Sequence, residues 1–243
     1  METLLVRERY KVIRVLEARE DYACAQAVDI LDREKNACLL NIYEGPLLRT
    51  YLECFDRLGA CPDFLGMFLE GESLVTVFAD RGGTPIDQVF YRGDHHHWTT
   101  RLDYAQKLLH QALSMADLPP EVSCAAMLSE NVRVDMNSGT LYPRFQVIPM
   151  EGMSPRELVY LASDQVYKIL LPRFASPREE LDFLDELERG NSRNVVQLYA
   201  LWREREGEIR AAYERLDKKN FFRRWCALLW GRIKRHAARR KRR

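Results

Sequence analysis

The 243-residue sequence predicts an α+β chain in which an antiparallel, β-rich part with one helix precedes a mostly helical part. Two observations predict it. Runs with strand character are concentrated in the first 80 residues, whereas helical periodicity dominates from Trp98 onward, and Arg81-Gly82-Gly83 breaks the pattern between them. With 47% hydrophobic and 30% charged residues the chain can bury a sizeable core, which excludes disordered, collagen-like and disulfide-stapled classes.

Tyr10 to Leu16 alternates apolar and basic residues, Cys24 to Leu31 is rich in small and β-branched residues, and Ala37 to Tyr43 is a third strand run. The polar stretch Asp32 to Asn36 suits a hairpin turn between the last two. After Gly45-Pro46, residues Leu47, Leu48, Tyr51, Leu52, Phe55 and Leu58 fall at helical spacing. Phe64 to Leu69 and Leu74 to Phe78 read as two strands joined by a turn at Glu70 to Ser73. Trp98 to Met115 is amphipathic and is stopped by Pro119-Pro120. Asn131 to Val134 and Tyr142 to Ile148 are short strand candidates around a turn at Asn137 to Gly139. Ser154-Pro155-Arg-Glu157 and Ser176-Pro177-Arg-Glu179 are paired helix-start signals, predicting helices from Pro155 to Leu171 and Pro177 to Arg189. A longer helix is expected from Asn194 to Asp217.

The formal net charge of +1 is a cancellation. Residues 220–243 contain ten Lys/Arg and no carboxylate, leaving residues 1–219 at −9. None of the six cysteines forms a C-x-x-C pair, so buried thiols in a reducing cytosol are expected, with zinc or disulfides as the lesser alternative. The N-terminus lacks the apolar run of a signal peptide, and no stretch approaches the roughly 20 apolar residues of a membrane span. A soluble or peripheral protein is expected.

Four windows stand in a telling order. They are Ala37 to Tyr43 (ACLLNIY), Leu74 to Gly83 (an apolar strand ending in Phe78, then the Gly-Gly connector), Cys124 to Val134 (CAAMLSENVRV), and Arg144-Phe145-Gln146, thirteen positions after Asn131. In these windows and in element order, over roughly residues 10–150, the chain resembles the eukaryotic-type (bacterial Ser/Thr) protein kinase family. The resemblance implies a bilobal fold: a β-rich N-lobe at 1–80, a truncated helical C-lobe at 81–219, and a basic tail at 220–243. Truncation is implied because Val147 to Pro155 is too short for an ordinary activation segment and has no A-P-E. Ser163-Asp164-Gln-Val166-Tyr167 resembles the family's buried Asp-Val-Tyr helix start.

The same resemblance implies that the catalytic positions are degenerate. Phosphoryl transfer needs a backbone cradle over the phosphates, a lysine to hold them, acids for Mg²⁺ and a carboxylate to take the hydroxyl proton. The cradle needs glycine, yet none precedes Gly45, and Leu16 to Ala23 reads LEAREDYA. The lysine position falls on Asn41 or an immediate neighbour, the catalytic Asp position on Ala126, the loop Lys position on Leu128 and the metal-binding Asp position on Arg144. Glu53, Glu130, Asn131 and Phe145 remain as remnants of the motifs. A cation at 144 repels Mg²⁺ and attracts phosphate. A pseudokinase without ATP, cofactor or metal is therefore expected.

Each of these residues also has a plainer role. Asn131 suits a turn residue bonding nearby backbone. Arg144 could bind phosphate or a partner's carboxylate, or plug the vacant cleft by pairing with Glu53 or Glu130. The run His95-His96-His97 suits a solvated loop better than a metal site, because adjacent histidines cannot all face one ion. His110 suits packing or solvent.

In the tail, Phe221, Phe222, Trp225, Cys226, Leu228, Leu229 and Ile233 share one broad arc of a helical wheel. Arg223, Arg224, Lys234 and Arg235 lie opposite, and Arg232 intrudes on the apolar side. Such a helix, with Trp230 beside it, suits an anionic membrane surface or an acidic protein partner. Its alternative is docking of the aromatic face on the chain's own C-lobe. Nucleic acid is not expected, because the −9 body repels phosphate backbones. The function expected is a binding, scaffolding or regulatory module in bacterial signalling, cytoplasmic or peripheral at the inner membrane face. In layout it resembles the pseudokinase parts of some bacterial membrane machines, including type VII secretion components. The alternatives are an atypical active kinase using residues such as Asp135 or Glu130, and a helical adaptor unrelated to kinases.

Overall fold

The computed structural model describes residues 4–58 and 61–241, with side chains described as far as residue 233. Contacts group the chain into two compact units, one made of the residues up to Ile86 with Ser114–Leu158, the other of Asp87–Leu113 with the residues from Val159 onward.

The first unit is built on a six-stranded antiparallel sheet with the order β1-β2-β3-β4-β6-β5. Its strands are β1 (Leu5–Val6), β2 (Tyr10–Ala18), β3 (Tyr22–Asp29), β4 (Ala37–Tyr43), β5 (Phe64–Glu70) and β6 (Ser73–Ala79), with α1 (Gly45–Phe55) between β4 and β5. This sheet overturns the helical-adaptor alternative. A smaller sheet joins β7 (Thr84–Pro85), β8 (Val132–Asp135) and β9 (Thr140–Pro143). The helices α2 (Ile86–Val89), α3 (Trp98–Ser114) and α4 (Pro120–Ala126) lie between β7 and β8 in the chain. After β9 come α5 (Pro155–Leu170), α6 (Arg178–Glu188), α7 (Val195–Asp217) and α8 (Phe221–Lys241).

Register sorts the large sheet into two faces. Leu40 pairs with Ala25 and Val77, and Cys38 with Ala27 and Ala79, giving an apolar face that also carries Tyr10 and Val75. Tyr10 of β2 stacks on Phe68 of β5 at 5.9 Å, although three strands separate them in sheet order, so the sheet curls over this face. Two register shifts in β2, at Val12/Arg14 and Val15/Glu17, mark bulges of the kind that add twist to a strand. On the opposite face Leu39, Asn41 and Tyr43 alternate inward with Gln26, Cys24 and Tyr22 of β3 and Phe78, Thr76 and Leu74 of β6. Here α1 supplies Tyr51, stacked on Tyr43 at 4.2 Å, and Phe55, 6.0 Å from Phe78.

The connector after β6 takes the backbone only glycine tolerates. Gly82 and Gly83 have φ of +75° and +83°, and a Cβ on Gly83 would strike the Tyr142 hydroxyl of β9, which donates to the Arg81 carbonyl at 3.2 Å.

The expected strand Tyr142 to Ile148 is shorter than its apolar pattern suggests. Regular pairing stops at Pro143, which has no N–H to donate, and the following residues are held to the large sheet by hydrogen bonds and packing that involve side chains rather than by a backbone ladder. Ser154 caps its helix as expected, its hydroxyl accepting from Glu157 N. Ser176 does not cap: its hydroxyl accepts from Arg173 N, and α6 starts after Pro177 without a side-chain cap.

In the second unit Trp98 stacks on Tyr213 at 4.9 Å and donates to Asp217, while Phe183 packs on the fully buried Trp202. Arg101, itself buried, donates to Asp94 and to the Ile169 carbonyl, and Arg173 reaches the same carboxylate at 2.8 Å. Burial raises the Asp94 carboxyl, but Arg101, the His96 and Tyr91 amides and Arg173 outweigh it and hold it at about 2. Asp164 is not the buried helix-start residue the resemblance implies. It lies within α5 and forms a half-exposed pair with Lys168 at 2.7 Å.

Candidate functional site

The strongest polar network of the first unit lies on the face of β4 that carries Asn41, against residues 144–147. Asn41 is fully buried, opposite Cys24 and Thr76. Its Oδ1 accepts from Val147 N at 2.9 Å and from the Tyr22 hydroxyl at 3.0 Å, and its Nδ2 donates to the Phe145 carbonyl at 3.0 Å. Tyr43, two residues along the same face, donates to the Val147 carbonyl at 2.7 Å. Burial pushes the Tyr22 and Tyr43 hydroxyls up in pKa, keeping both as donors, and raises the Cys24 thiol to about 12.

The neighbours of this amide clamp complete it. Phe145 is buried and stacks on Phe78 at 4.9 Å. Gln146 donates to Glu17 of β2 at 3.0 Å. Arg144 donates to Asp80 Oδ2 at 3.0 Å, and the same oxygen accepts from Gln26 at 2.9 Å. Four consecutive residues thus bind β2, β4, the end of β6 and, through Asp80, β3.

Asn131 joins this network from the other side. It is fully buried, and its Nδ2 donates to the Ala125 carbonyl at 2.8 Å and to the Gln146 carbonyl at 3.1 Å, as a backbone-bonding turn residue does. Its Oδ1 is buried with no hydrogen-bond partner among the described residues. Ala126, the last residue of α4, is fully buried, and Leu128 is half-buried.

Asn41, Asn131, Arg144 and Phe145 therefore meet in one bonded system, whereas Glu53 and Glu130 do not. Glu53 is exposed and pairs along α1 with Arg49 at 3.5 Å, and Glu130 is exposed. The expected plug pairing is corrected accordingly: Arg144 meets Asp80, not Glu53 or Glu130, because Asp80 directly follows β6 while Glu53 lies on the solvent side of α1. Asp135 accepts from Asn137 N and Ser138 Oγ in its own turn, and the Ser138 bond lowers its pKa. In the histidine run, Asp94 accepts from His96 N, and His97 bonds Thr99. His110 bonds the Tyr199 hydroxyl at 2.7 Å. Among the described residues no group of three or more His, Cys, Asp or Glu side chains is placed to hold a metal ion.

No family model matches the chain, and no curated protein matches it. Among solved structures it is similar to the apo GRMZM2G135359 pseudokinase, with 14% identity, a TM-score of 0.54, and coverage of 79% of this chain and 90% of that one. The chain has a protein-kinase-like fold. A structure of Rad53 residues 1–466 in complex with AMP-PNP also matches, with 14% identity, a TM-score of 0.49 and coverage of 67% of this chain. The chain spans about half, 48%, of that structure's length.

Within the kinase-like fold, α8 follows its own rule. One edge packs on the second unit: Leu228 is buried, Arg224 donates to Asp217 at 3.1 Å, and Arg232 donates to the Arg173 carbonyl at 2.9 Å while lying over the Phe174 ring. The tail helix therefore docks on its own unit, but by this edge rather than by its aromatic face. Phe221, Phe222, Arg223, Trp225 and Trp230 are exposed. The side chains of Lys234 and Arg235 lie outside the described residues.

Sequence reasoning missed Asp80, Gln26, Tyr22 and Tyr43. Asp80 sits in the connector window and Tyr43 ends a strand run, but only the tertiary pairing with residues 144–147 gives either a role.

Proposed function

We propose that the chain is a catalytically inactive member of the bacterial Ser/Thr-kinase type that serves as a binding, scaffolding or regulatory module. Its basic tail holds it at an anionic membrane or on an acidic protein partner, at the cytoplasmic face. The supporting observation is the bonding of residues 144–147 into the large sheet through Asn41 and the Arg144–Asp80 pair. At the position where the family places a phosphate-holding lysine, a neutral amide is spent on backbone. At the position of the metal-binding acid, a cation is spent on Asp80. Neither group is left for ATP or Mg²⁺, and no cofactor enters this reading. The functional division proposed is N-lobe 1–80, C-lobe 81–219 and tail 220–243.

Thermal unfolding with ATP and Mg²⁺ tests it. A ligand present at 100 times its Kd adds about 2.7 kcal/mol, which raises Tm by roughly 5–10 °C in a chain of this size. No shift is expected. A metal-dependent rise of about 5 °C overturns the nucleotide-free reading. An enzyme acting through Glu130 and Asp135 finds no comparable support, since the first is exposed and the second closes its own turn.

A further inference from the structure

The docked edge of α8 leaves an apolar stripe largely exposed. Phe222, Trp225, Cys226, Leu229 and Ile233 recur at helical spacing on that side, with Phe221 at the helix start and Trp230 flanking. Phe221 is 87% exposed, Phe222 70%, Trp225 44%, Trp230 61% and Ile233 59%. The edge that does pack is made of Leu228, Arg224, Arg232 and Gly231, where a Cβ would stand 3.7 Å from the Arg178 Cβ.

We infer that this stripe inserts into the interfacial layer of an anionic bilayer, with α8 lying in the membrane plane and the rest of the second unit fixed to it by the Leu228–Arg232 edge. This rests on the reading of the tail as a tether and commits it to lipid. Three observations favour lipid. The stripe is aromatic as well as aliphatic, and Trp and Phe rings suit the headgroup boundary. The segment 220–243 carries ten basic residues and no carboxylate; Arg224 and Arg232 are taken up by the docked edge, and the other eight, Arg223 and those from Lys234 onward, are complementary to anionic headgroups. A second copy is a poor occupant of the same stripe, because pairing two such helices sets two +10 segments against each other.

The edge contacts add geometry to the anchor. A tail hanging free lets the body tumble, whereas Arg232 on the Arg173 carbonyl and Leu228 in its packed site hold the second unit in one orientation to the helix. The −9 body is repelled by the surface that its helix binds, so the basic charge of the tail and the insertion of its stripe together have to hold it there. No helix among the described residues is long and apolar enough to cross a membrane, as an in-plane helix requires.

The full chain is tested on phosphatidylcholine vesicles with and without phosphatidylserine at roughly a third of the lipid. Expected are sedimentation with the anionic vesicles, quenching of tryptophan emission by brominated acyl chains, and about tenfold or greater weakening by the double substitution F222S/W225S with Tm unchanged. The two positions are exposed, so the variant folds. Binding of F222S/W225S equal to the parent, or no quenching, overturns insertion and leaves a charge-only contact. A dimer that the same substitutions make monomeric, with no vesicle binding, assigns the stripe to a second copy and overturns the proposal. Binding to polyglutamate but not to vesicles overturns it too, while leaving the tether to an acidic partner standing. None of these outcomes bears on the ATP titration.

Discussion

Replacing Asn41 by alanine tests the clamp at its centre. The substitution removes two acceptor bonds and one donor bond, leaving the Val147 N–H and the Phe145 carbonyl buried without partners. The Tyr22 hydroxyl keeps Cys24 as a neighbouring partner and suffers less. Each orphaned backbone group costs about 1–3 kcal/mol. The expected loss is therefore about 4 kcal/mol, a large share of the roughly 5–15 kcal/mol that holds a domain folded. Urea denaturation reads the total. Native-state hydrogen exchange at the Val147 amide reads the clamp alone, without interference from the second unit, and its protection should collapse. A loss under about 1 kcal/mol with Val147 still protected would refute the argument, since an unmade bond costs nothing to remove.

Arg144→Met should cost about 3 kcal/mol in the same assay, because it leaves the nearly inaccessible Asp80 carboxylate with only Gln26 and the Gly82 amide; an unchanged midpoint would contradict a buried pair. Glu180 is buried on α6 beside the Tyr213 hydroxyl at 2.8 Å, and burial raises its pKa from 4.5 to about 7 against the pull of Ser176, Tyr213, Arg101 and Arg173. Between those two values the folded chain holds the proton more tightly than the unfolded chain, so this residue makes stability fall as pH rises from 4.5 to 7, by about 3 kcal/mol in all. Glu180→Gln should remove that slope, and an unaltered pH profile would count against it. Cys24, Cys38, Cys54, Cys61 and Cys124 are buried while Cys226 is exposed on α8, so a thiol reagent should modify one cysteine rapidly in the native protein and the others only on unfolding. Rapid modification of two or more would contradict the packing.

What the sequence made legible follows from how local each feature is. The strand at Ala37 to Tyr43 has the bounds its apolar run predicts, because a strand buried on both faces needs apolar residues throughout. Leu5–Val6 and Thr84–Pro85 were invisible as strands, since two residues carry no periodicity and only their partners define them. The helix α4 was seen only as a break at Pro119-Pro120, although Pro at a first turn also opens a helix. Among the residues of the network, Asn41, Asn131 and Arg144 are singled out in the sequence because the family resemblance points to their positions. Asp80 was not, since no spacing rule links residues 64 positions apart. The helical wheel placed Leu228 and Trp225 on one arc. A wheel ranks faces by polarity alone and cannot tell which side of a broad apolar arc meets the body.

The Arg144–Asp80 pair and the Asn41 clamp together resist the residues that the kinase resemblance would place at 41 and 144. A lysine at 41 would turn N–H donors toward the Val147 N–H, and an aspartate at 144 would face Asp80 where a guanidinium now sits at 3.0 Å. Either change alone pits like against like inside a closed core, and neither relieves the other while Asp80 stays in place. A lysine at 41 together with an aspartate at 144 therefore also needs position 80 changed, and libraries that vary one of these three positions at a time should return chains destabilised by about 3–4 kcal/mol.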